Sequence, residues 1–123
     1  MISPGEIAVR CATGVLGERT NYKDVARTRN RLDGADETVI TGAGVRVRVI
    51  AYDTGGGEAN VSLDEREVGR LSWTRWRDTD RMDAVVPADG KAVAPDQLGD
   101  YEMAVRITCQ IAAALAHVCQ EKP

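Results

Sequence analysis

The sequence predicts an α+β domain with two N-terminal helices, an antiparallel meander of about four or five strands, and a long C-terminal helix packed on one sheet face. Apolar residues recur at three- and four-residue spacing near both ends of the chain, and this spacing changes to alternation in the middle. Polar or glycine-rich turns separate the alternating runs. The 123 residues are about the size of one ordinary domain, so we expect residues 1–123 to form a single domain.

Two helices are expected before the sheet. The first begins at the capping box Ser3-Pro4-Gly5-Glu6, in which a serine can accept from first-turn amides and a proline occupies the first helical position. Its apolar face continues through about Leu16 and consists of Ile7, Cys11, Val15 and, at its margin, Ala8 and Ala12. The second would begin at Asn21 or Asp24 and end at Asp33-Gly34. Its apolar side would consist of Tyr22, Val25, Ala26 and Leu32.

Alternation from residue 38 predicts a half-buried strand. One side would carry Val45, Val47, Val49 and Ala51, and the other would carry Arg46, Arg48, Ile50 and Tyr52. Residues 54–59, with three consecutive glycines, are expected to be a flexible connection to the next strand of an antiparallel hairpin, at Val61-Ser62-Leu63. Residues 68–73 and 82–87 suggest further strands of the meander.

The strongest helix signal lies near the end of the chain. Residues 87–99 contain two prolines and two glycines and predict an irregular connection. From about Asp100 to Cys119, one apolar stripe consists of Ala104, Ile107, Ile111, Leu115 and Val118. We expect this stripe to lie against the sheet.

Composition narrows the function classes. The formal net charge of −3 makes generic attraction to nucleic acid weak. The sequence has no uninterrupted apolar run of about 20 residues, the length that a membrane span needs. It also shows no basic, apolar secretory start, so we expect a cytoplasmic protein without membrane contact. The abundance of arginine, alanine, valine, glycine and aspartate and the absence of phenylalanine are typical of a high-GC bacterium or a phage.

Cysteine, histidine and acidic residues do not form a recognisable chemical site in the sequence. The odd number of cysteines favours buried free thiols over a disulfide framework. The single histidine, His117, excludes multi-histidine metal sites within one chain. The aspartates at 78, 80 and 83 lack the glycine and closing glutamate of a calcium loop. With no phosphate-binding or dinucleotide motif either, we expect no metal and no cofactor.

Asp53-Thr54-Gly55 follows an apolar, strand-like run and resembles the active-site corner of aspartic peptidases, including the short viral type that works as a homodimer. Leu98-Gly99-Asp100 is similar to the turn before that family's terminal helix. The resemblance implies that Asp53 of each of two subunits would share one proton, so that one carboxylate activates water and the other acts as an acid. The residues also fit a hairpin loop, because aspartate and glycine are common turn residues. We favour the hairpin and keep the peptidase as an alternative.

The segment from Trp73 to Arg77 has the composition of a protein interface. Tryptophan and arginine are both enriched at interface hot spots, and in an extended segment Trp73 and Trp76 would lie on opposite faces, with one of them partly exposed. The predicted partner-binding residues are Trp73, Arg75, Trp76, Arg77, Arg46, Arg48 and Tyr52. An alternative is single-stranded nucleic-acid binding through Trp73–Arg77, which the aspartates that follow would oppose.

The sequence therefore favours a non-enzymatic protein–protein interaction module with an arginine-aromatic sheet surface. Inhibitor or immunity proteins, adaptors or chaperones, and phage assembly components are of this type. We expect a protein partner and a homo-oligomer, and we do not expect a nucleic-acid or membrane partner.

Overall fold

The structure, a computed structural model, describes residues 3–20, 23–75, 80–85, 96 and 98–120. Within these residues the elements are α1 (Pro4–Thr20), β1 (Ala26–Leu32), β2 (Ala35–Gly42), β3 (Val45–Tyr52), β4 (Gly57–Leu63), β5 (Arg66–Arg75), β6 (Asp80–Val85) and α2 (Leu98–Gln120). The six strands described form one antiparallel sheet in which each strand pairs with its neighbour in the chain. The predicted α+β class and meander are confirmed, although the described sheet has six strands instead of four or five.

The helices α1 and α2 lie on the same face of the sheet. α1 contacts β2, β3 and β4, α2 contacts β4, β5 and β6, and the helices contact each other. The core between them and the sheet includes Val47, Val61, Leu71, Ile107 and Ile111, each with no exposed surface. The predicted packing of the C-terminal helix on one sheet face is thus confirmed, because its apolar stripe is the buried side.

The capping of α1 follows the sequence pattern in part. The Glu6 amide donates to Ser3 Oγ over 3.3 Å, and the Ile7 amide donates to the Ser3 carbonyl over 3.0 Å. The Glu6 carboxylate accepts from Arg10 on the next turn. The serine half of the capping box is therefore formed, and α1 continues to Thr20, one turn beyond the predicted end.

Small residues let α1 lie close to the sheet. Its fully buried positions are Ala8, Ala12 and Leu16, with Val15 at 4% exposure, whereas Ile7 and Cys11 are only partly buried. At the first turn, a Cβ added to Gly5 would lie 3.1 Å from the Cβ of Ala51 in β3. The helix thus turns its alanines toward the sheet, because alanine permits a closer approach of helix and sheet than the larger side chains would.

The prediction of a second N-terminal helix is wrong, because residues 26–32 form strand β1. Asp33-Gly34 closes a two-residue turn in which Gly34 has φ +79°, and β1 pairs with β2 from Ala26↔Thr41 to Leu32↔Ala35. The good helix propensity of arginine is overridden by this pairing. The helix prediction placed an apolar stripe on a segment in which arginine alternates with smaller residues.

The connection between β3 and β4 is shorter than its three consecutive glycines predict. β4 begins at Gly57, so residues 57–59 are strand and not connection. Gly57 is the register partner of Trp73 on β5, and a Cβ at position 57 would collide with the indole ring of that tryptophan. The glycine is therefore a place where an aromatic ring lies directly on the backbone of the neighbouring strand.

Gly69 is a second position at which a neighbouring side chain, here one from α2, lies directly on the strand backbone. A Cβ on Gly69 would lie 2.7 Å from Thr108 Cγ2 and 2.9 Å from Thr108 Cβ, and Thr108 is fully buried. The register of β4 and β5 shifts between Val61 and Ser62, and this bulge places Val68 in the core beside Gly69. The C-terminal helix is thus held on the sheet at a position where only glycine fits without movement.

Candidate functional site

The face of the sheet opposite α1 and α2, which we call the outer face, carries three of the predicted surface residues. Arg46, Arg48 and Tyr52 alternate along β3 with the valines that point toward the helices. Arg46 is exposed, Arg48 is half-buried, and the Tyr52 side chain is 43% exposed. The structure therefore brings these three residues to one surface, as their alternation in the sequence indicates.

An apolar row crosses one end of the outer face. Leu32 on β1 is paired with Ala35 on β2, and Ala35 is paired with Tyr52 on β3. Leu32 at 37% exposure and Tyr52 at 43% are the large hydrophobic side chains that are exposed among the described residues. We call this set of three residues the Leu32–Tyr52 row, and it places the two exposed hydrophobic side chains on β1 and β3, on either side of Ala35 in β2.

The middle of the outer face is occupied by a hydrogen-bonded polar cluster. Glu37 accepts from Arg48 Nε and, over 3.3 Å, from Asn30 Nδ2. These hydrogen bonds, that of Arg48 first, lower the pKa of the Glu37 carboxyl. Beneath them Ile50, the register partner of Glu37, is only 6% exposed. Arg48 is therefore committed within the molecule, whereas Arg46 has no ion pair among the described residues.

Asn60 is the polar group on this face whose hydrogen bonding is incomplete. It lies in register between Arg48 on β3 and Arg70 on β5. Its Oδ1 atom is buried and has no hydrogen-bond partner within the described part of the chain. Arg70 instead donates to Glu67 over 2.7 Å and 3.2 Å.

Trp73 does not lie on the outer face. It is 5% exposed and belongs to the core on the helix side, because it shares a face of β5 with Gly69 and Leu71 and lies over Gly57. It is therefore available neither to a protein partner nor for stacking on a nucleic-acid base. Arg75 ends β5 and is paired in register with Asp80. Trp76 and Arg77 lie outside the described residues.

Asp53 is held in a turn by an ion pair. Its carboxylate accepts from Arg31 Nη1 over 2.8 Å and from Nη2 over 2.5 Å, and its amide donates to the Gly34 carbonyl over 2.9 Å. The hairpin turn closes through a 2.8 Å bond from the Tyr52 amide to the Gly56 carbonyl. Asp53 thus ties the β3–β4 turn to the β1–β2 turn.

This geometry differs from what a shared-proton dyad requires. The Arg31 hydrogen bond holds the pKa of Asp53 below its usual range, whereas one carboxyl of a dyad has a raised pKa. Asp100, from the second part of the peptidase resemblance, lies in the first turn of α2 beside Gly44, which precedes β3. Because Asp53 follows β3, the two parts of the resemblance lie at opposite ends of one strand. The geometry therefore supports the hairpin interpretation.

The thiols and acidic residues show no chemical site in the described part of the chain. Cys11 is half-buried, and burial raises the pKa of its thiol, but Cys109 is exposed, contrary to the expectation of buried thiols. No group of histidine, cysteine, aspartate or glutamate in the described ranges could hold a metal ion. Asp80 and Asp83 lie in β6, Asp78 lies outside the described residues, and nothing is described of the His117 side chain.

A basic edge of the sheet was missed from the sequence. β1 reads Ala-Arg-Thr-Arg-Asn-Arg-Leu, and all seven of its residues are exposed. The alternation of arginine with smaller residues was the available signal, but the helix assignment obscured it. Between this strand and the first turns of α1 lies a groove of about 390 Å³, whose lining includes Arg27 and Arg29.

Comparisons with protein families, with curated proteins and with solved structures each gave no match for this chain. Within the described ranges, no helix combines the length and apolar character needed to cross a membrane.

Proposed function

We propose that this chain is a non-enzymatic protein–protein interaction module that binds a partner protein on its outer sheet face. The inhibitor or immunity, adaptor or chaperone, and phage assembly types of protein all fit this proposal. It includes a cytoplasmic location, a homo-oligomeric state, and a contribution from Trp76 and Arg77 next to β5.

The Leu32–Tyr52 row is the observation that carries the proposal. A tyrosine supplies a large contact area at little cost in side-chain entropy, and interfaces are enriched in tyrosine and arginine. Arg46, which is exposed and has no ion pair among the described residues, lies on the same strand and face as Tyr52. An apolar row with an exposed arginine on the same surface favours binding of a protein.

A site-specific photocrosslinker tests the location of the surface. Incorporated at Tyr52 and expressed in the native host, it should yield a discrete crosslinked product that contains the partner protein or a second copy of this chain. The matched control carries the crosslinker at Gln110, an exposed position on α2. Equal products from both positions, or a product from Gln110 alone, would contradict the proposed surface.

A second measurement separates loss of binding from loss of folding. We expect the Leu32→Ser/Tyr52→Ser double variant to lose the crosslinked or oligomeric species in light scattering while its circular dichroism spectrum stays unchanged. Gln110→Ser should retain that species. If the double variant assembles like the unmodified protein, the outer face is not the interface.

A further inference from the structure

The strand β1 forms an edge of the described sheet, and its outer side is not paired with any described strand. The two-residue turn between Leu32 and Ala35 makes that pair a hydrogen-bonded one. Because antiparallel pairs alternate, the N–H and C=O groups of Arg27, Arg29 and Arg31 point away from β2, toward the open edge. Three donor and acceptor pairs are thus presented in a row along β1.

The side chains of the same arginines lie on the helix side of the sheet. Arg27 is paired with Ile40 and Arg29 with Thr38, both of which are buried beneath or beside α1. α1 does not cover Arg27 and Arg29, and these side chains border the groove whose floor includes Thr38, Val49 and Ala51. A chain that lies against the edge can therefore reach both arginines.

Two of the three arginines have uncommitted charge. Arg31 is paired with Asp36 and Asp53, whereas Arg27 and Arg29 have no ion pair or hydrogen bond from their side chains within the described residues. Glu6 and Asp36, the acidic residues that line the groove, already pair with Arg10 and Arg31. The open edge therefore carries two positive charges, spaced two residues apart on one face.

We propose that β1 binds an extended acidic peptide segment of another protein, which adds to the sheet as a further strand. Its backbone bonds to the outward groups of Arg27, Arg29 and Arg31, and acidic side chains at every second position pair with Arg27 and Arg29. A second copy of this chain is disfavoured, because paired β1 strands would bring arginines against arginines. The same charges that oppose self-pairing select an acidic strand. This edge differs from the outer face, with which it shares Leu32 at the end of β1.

The test uses a fluorescein-labelled peptide of roughly seven residues, the length of an ordinary strand, in which aspartate alternates with valine or threonine. Fluorescence anisotropy should show saturable binding that weakens with added salt. The peptide with lysine in place of aspartate, and the aspartate peptide N-methylated at its ladder-facing positions, should each bind at least about tenfold more weakly. In nuclear magnetic resonance spectra, the largest amide shifts should fall on residues 26–32.

Two substitutions at one position separate charge from strand addition. Arg29→Ala removes the charge and should weaken binding several-fold. Arg29→Pro removes the charge and also the outward N–H, and it should bind about tenfold more weakly than Arg29→Ala. Proline is tolerated on an edge strand where the N–H points away from the sheet, so circular dichroism should be unchanged. Arg106→Ala, which removes an arginine charge from α2, should leave peptide binding unchanged.

Several results would overturn the proposal. These are absence of peptide binding at millimolar concentration, equal binding of the lysine or N-methylated peptide, and equal affinities of Arg29→Ala and Arg29→Pro. Tighter binding of an oligothymidylate would show a polyanion site, and a dimer that Arg29→Pro dissociates would identify a second copy as the occupant. Crosslinking at Tyr52 does not depend on Arg29, so this proposal and the proposed function can fail separately.

Discussion

At the scale of single residues, three carboxylates of the sheet and its turns are each paired with an arginine. Asp53 is paired with Arg31, Glu37 with Arg48 and Glu67 with Arg70, and the hydrogen bond from the arginine is in each case the largest cause of the lowered carboxyl pKa. The residue types of Asp53-Thr54-Gly55 alone are enough to predict a turn. The partner of Asp53 could not be predicted, because Arg31 had been assigned to a helix and is 22 residues away in the chain.

Asp53→Asn tests whether this residue stabilises the fold as a carboxylate. Because the pKa of Asp53 is lowered in the folded state, its stabilisation is present above the unfolded-state pKa of about 4 and is lost as the pH falls through the lower folded-state pKa. We expect the variant to have a lower free energy of unfolding at pH 7, with a difference that shrinks as the pH falls. Urea denaturation at a series of pH values measures this.

Asp33→Asn is the matched control for that experiment, because Asp33 lies in the adjacent turn and has no ion pair among the described residues. It should change stability little at any pH. A destabilisation by Asp53→Asn that persists at the lowest pH would show that the ion pair is not its source. Acid-range, pepstatin-sensitive cleavage by the unmodified protein would instead revive the peptidase interpretation.

Glu65→Gly is expected to stabilise the protein. Asp64 and Glu65 have φ values of 47° and 68°, which define a type I′ turn with two non-glycine residues in the left-handed region. Glycine adopts this conformation without the Cβ conflict, so we expect a gain of about 0.5–1 kcal/mol after its greater chain entropy is counted. Thermal and urea denaturation measure the change. Glu65→Ala removes the same side chain without relieving φ and should give no gain; equal stabilisation by both variants would contradict this account.

At the scale of elements, the sequence correctly predicted the type of those segments in which apolar residues recur at one regular spacing over a long stretch. The stripe of α2 and the alternation of β3 were both confirmed, because one face of each is buried along most of its length. β1 was assigned wrongly, since all its residues are exposed and no apolar period marks its type. The alternation of arginine with smaller residues is compatible with a strand, but the pairing with β2 that makes β1 a strand involves residues 35–41, outside the local segment.

Gly69→Ala tests the packing of α2 on β5. The new Cβ would collide with Thr108, and we expect a loss of about 1–3 kcal/mol in the free energy of unfolding because buried overpacking forces the helix to move. Adding Thr108→Ala removes Oγ1 and Cγ2 at the contact, so the double variant should be more stable than the sum of the single changes predicts. Chemical denaturation of the four proteins completes the cycle.

Gly14→Ala provides the control for that experiment, because it makes the same substitution where there is space. Gly14 lies within α1, and a Cβ added there meets no atom within 4 Å. Alanine should therefore stabilise the helix by about 1 kcal/mol through its higher helix propensity. Strictly additive effects of Gly69→Ala and Thr108→Ala would argue that the close approach of α2 is not what selects glycine at position 69.

At the scale of the whole molecule, the candidate surfaces depend on which side of the sheet the helices cover. The alternation of β3 separated Arg46, Arg48 and Tyr52 from the core, so this part of the surface could be predicted. The location of Trp73 could not, because an extended segment gives two tryptophans on opposite faces and local pattern alone does not say which is buried. Trp73 is buried because its ring fits over Gly57, and this pairing depends on the register of β4 with β5.

The shared core predicts that the chain unfolds as one unit. α1 and α2 contact each other and the same strand, β4, so neither helix can leave without exposing apolar surface of the other. Urea unfolding followed by far-ultraviolet circular dichroism and by tryptophan fluorescence should give coincident two-state transitions. Two separated transitions would contradict the single domain expected for residues 1–123.

The type I′ turn at Asp64-Glu65 makes the protein a scaffold for loop grafting. The turn at Asp53 is anchored to β1, and the turn at Ala43-Gly44 lies beside the first turn of α2. The β4–β5 turn lies at the end of the sheet away from Asp53 and joins two strands whose pairing continues to Leu63↔Arg66. The entropic cost of a longer loop grows only with the logarithm of its length. A foreign peptide inserted between positions 64 and 65 would thus be displayed away from the Leu32–Tyr52 row.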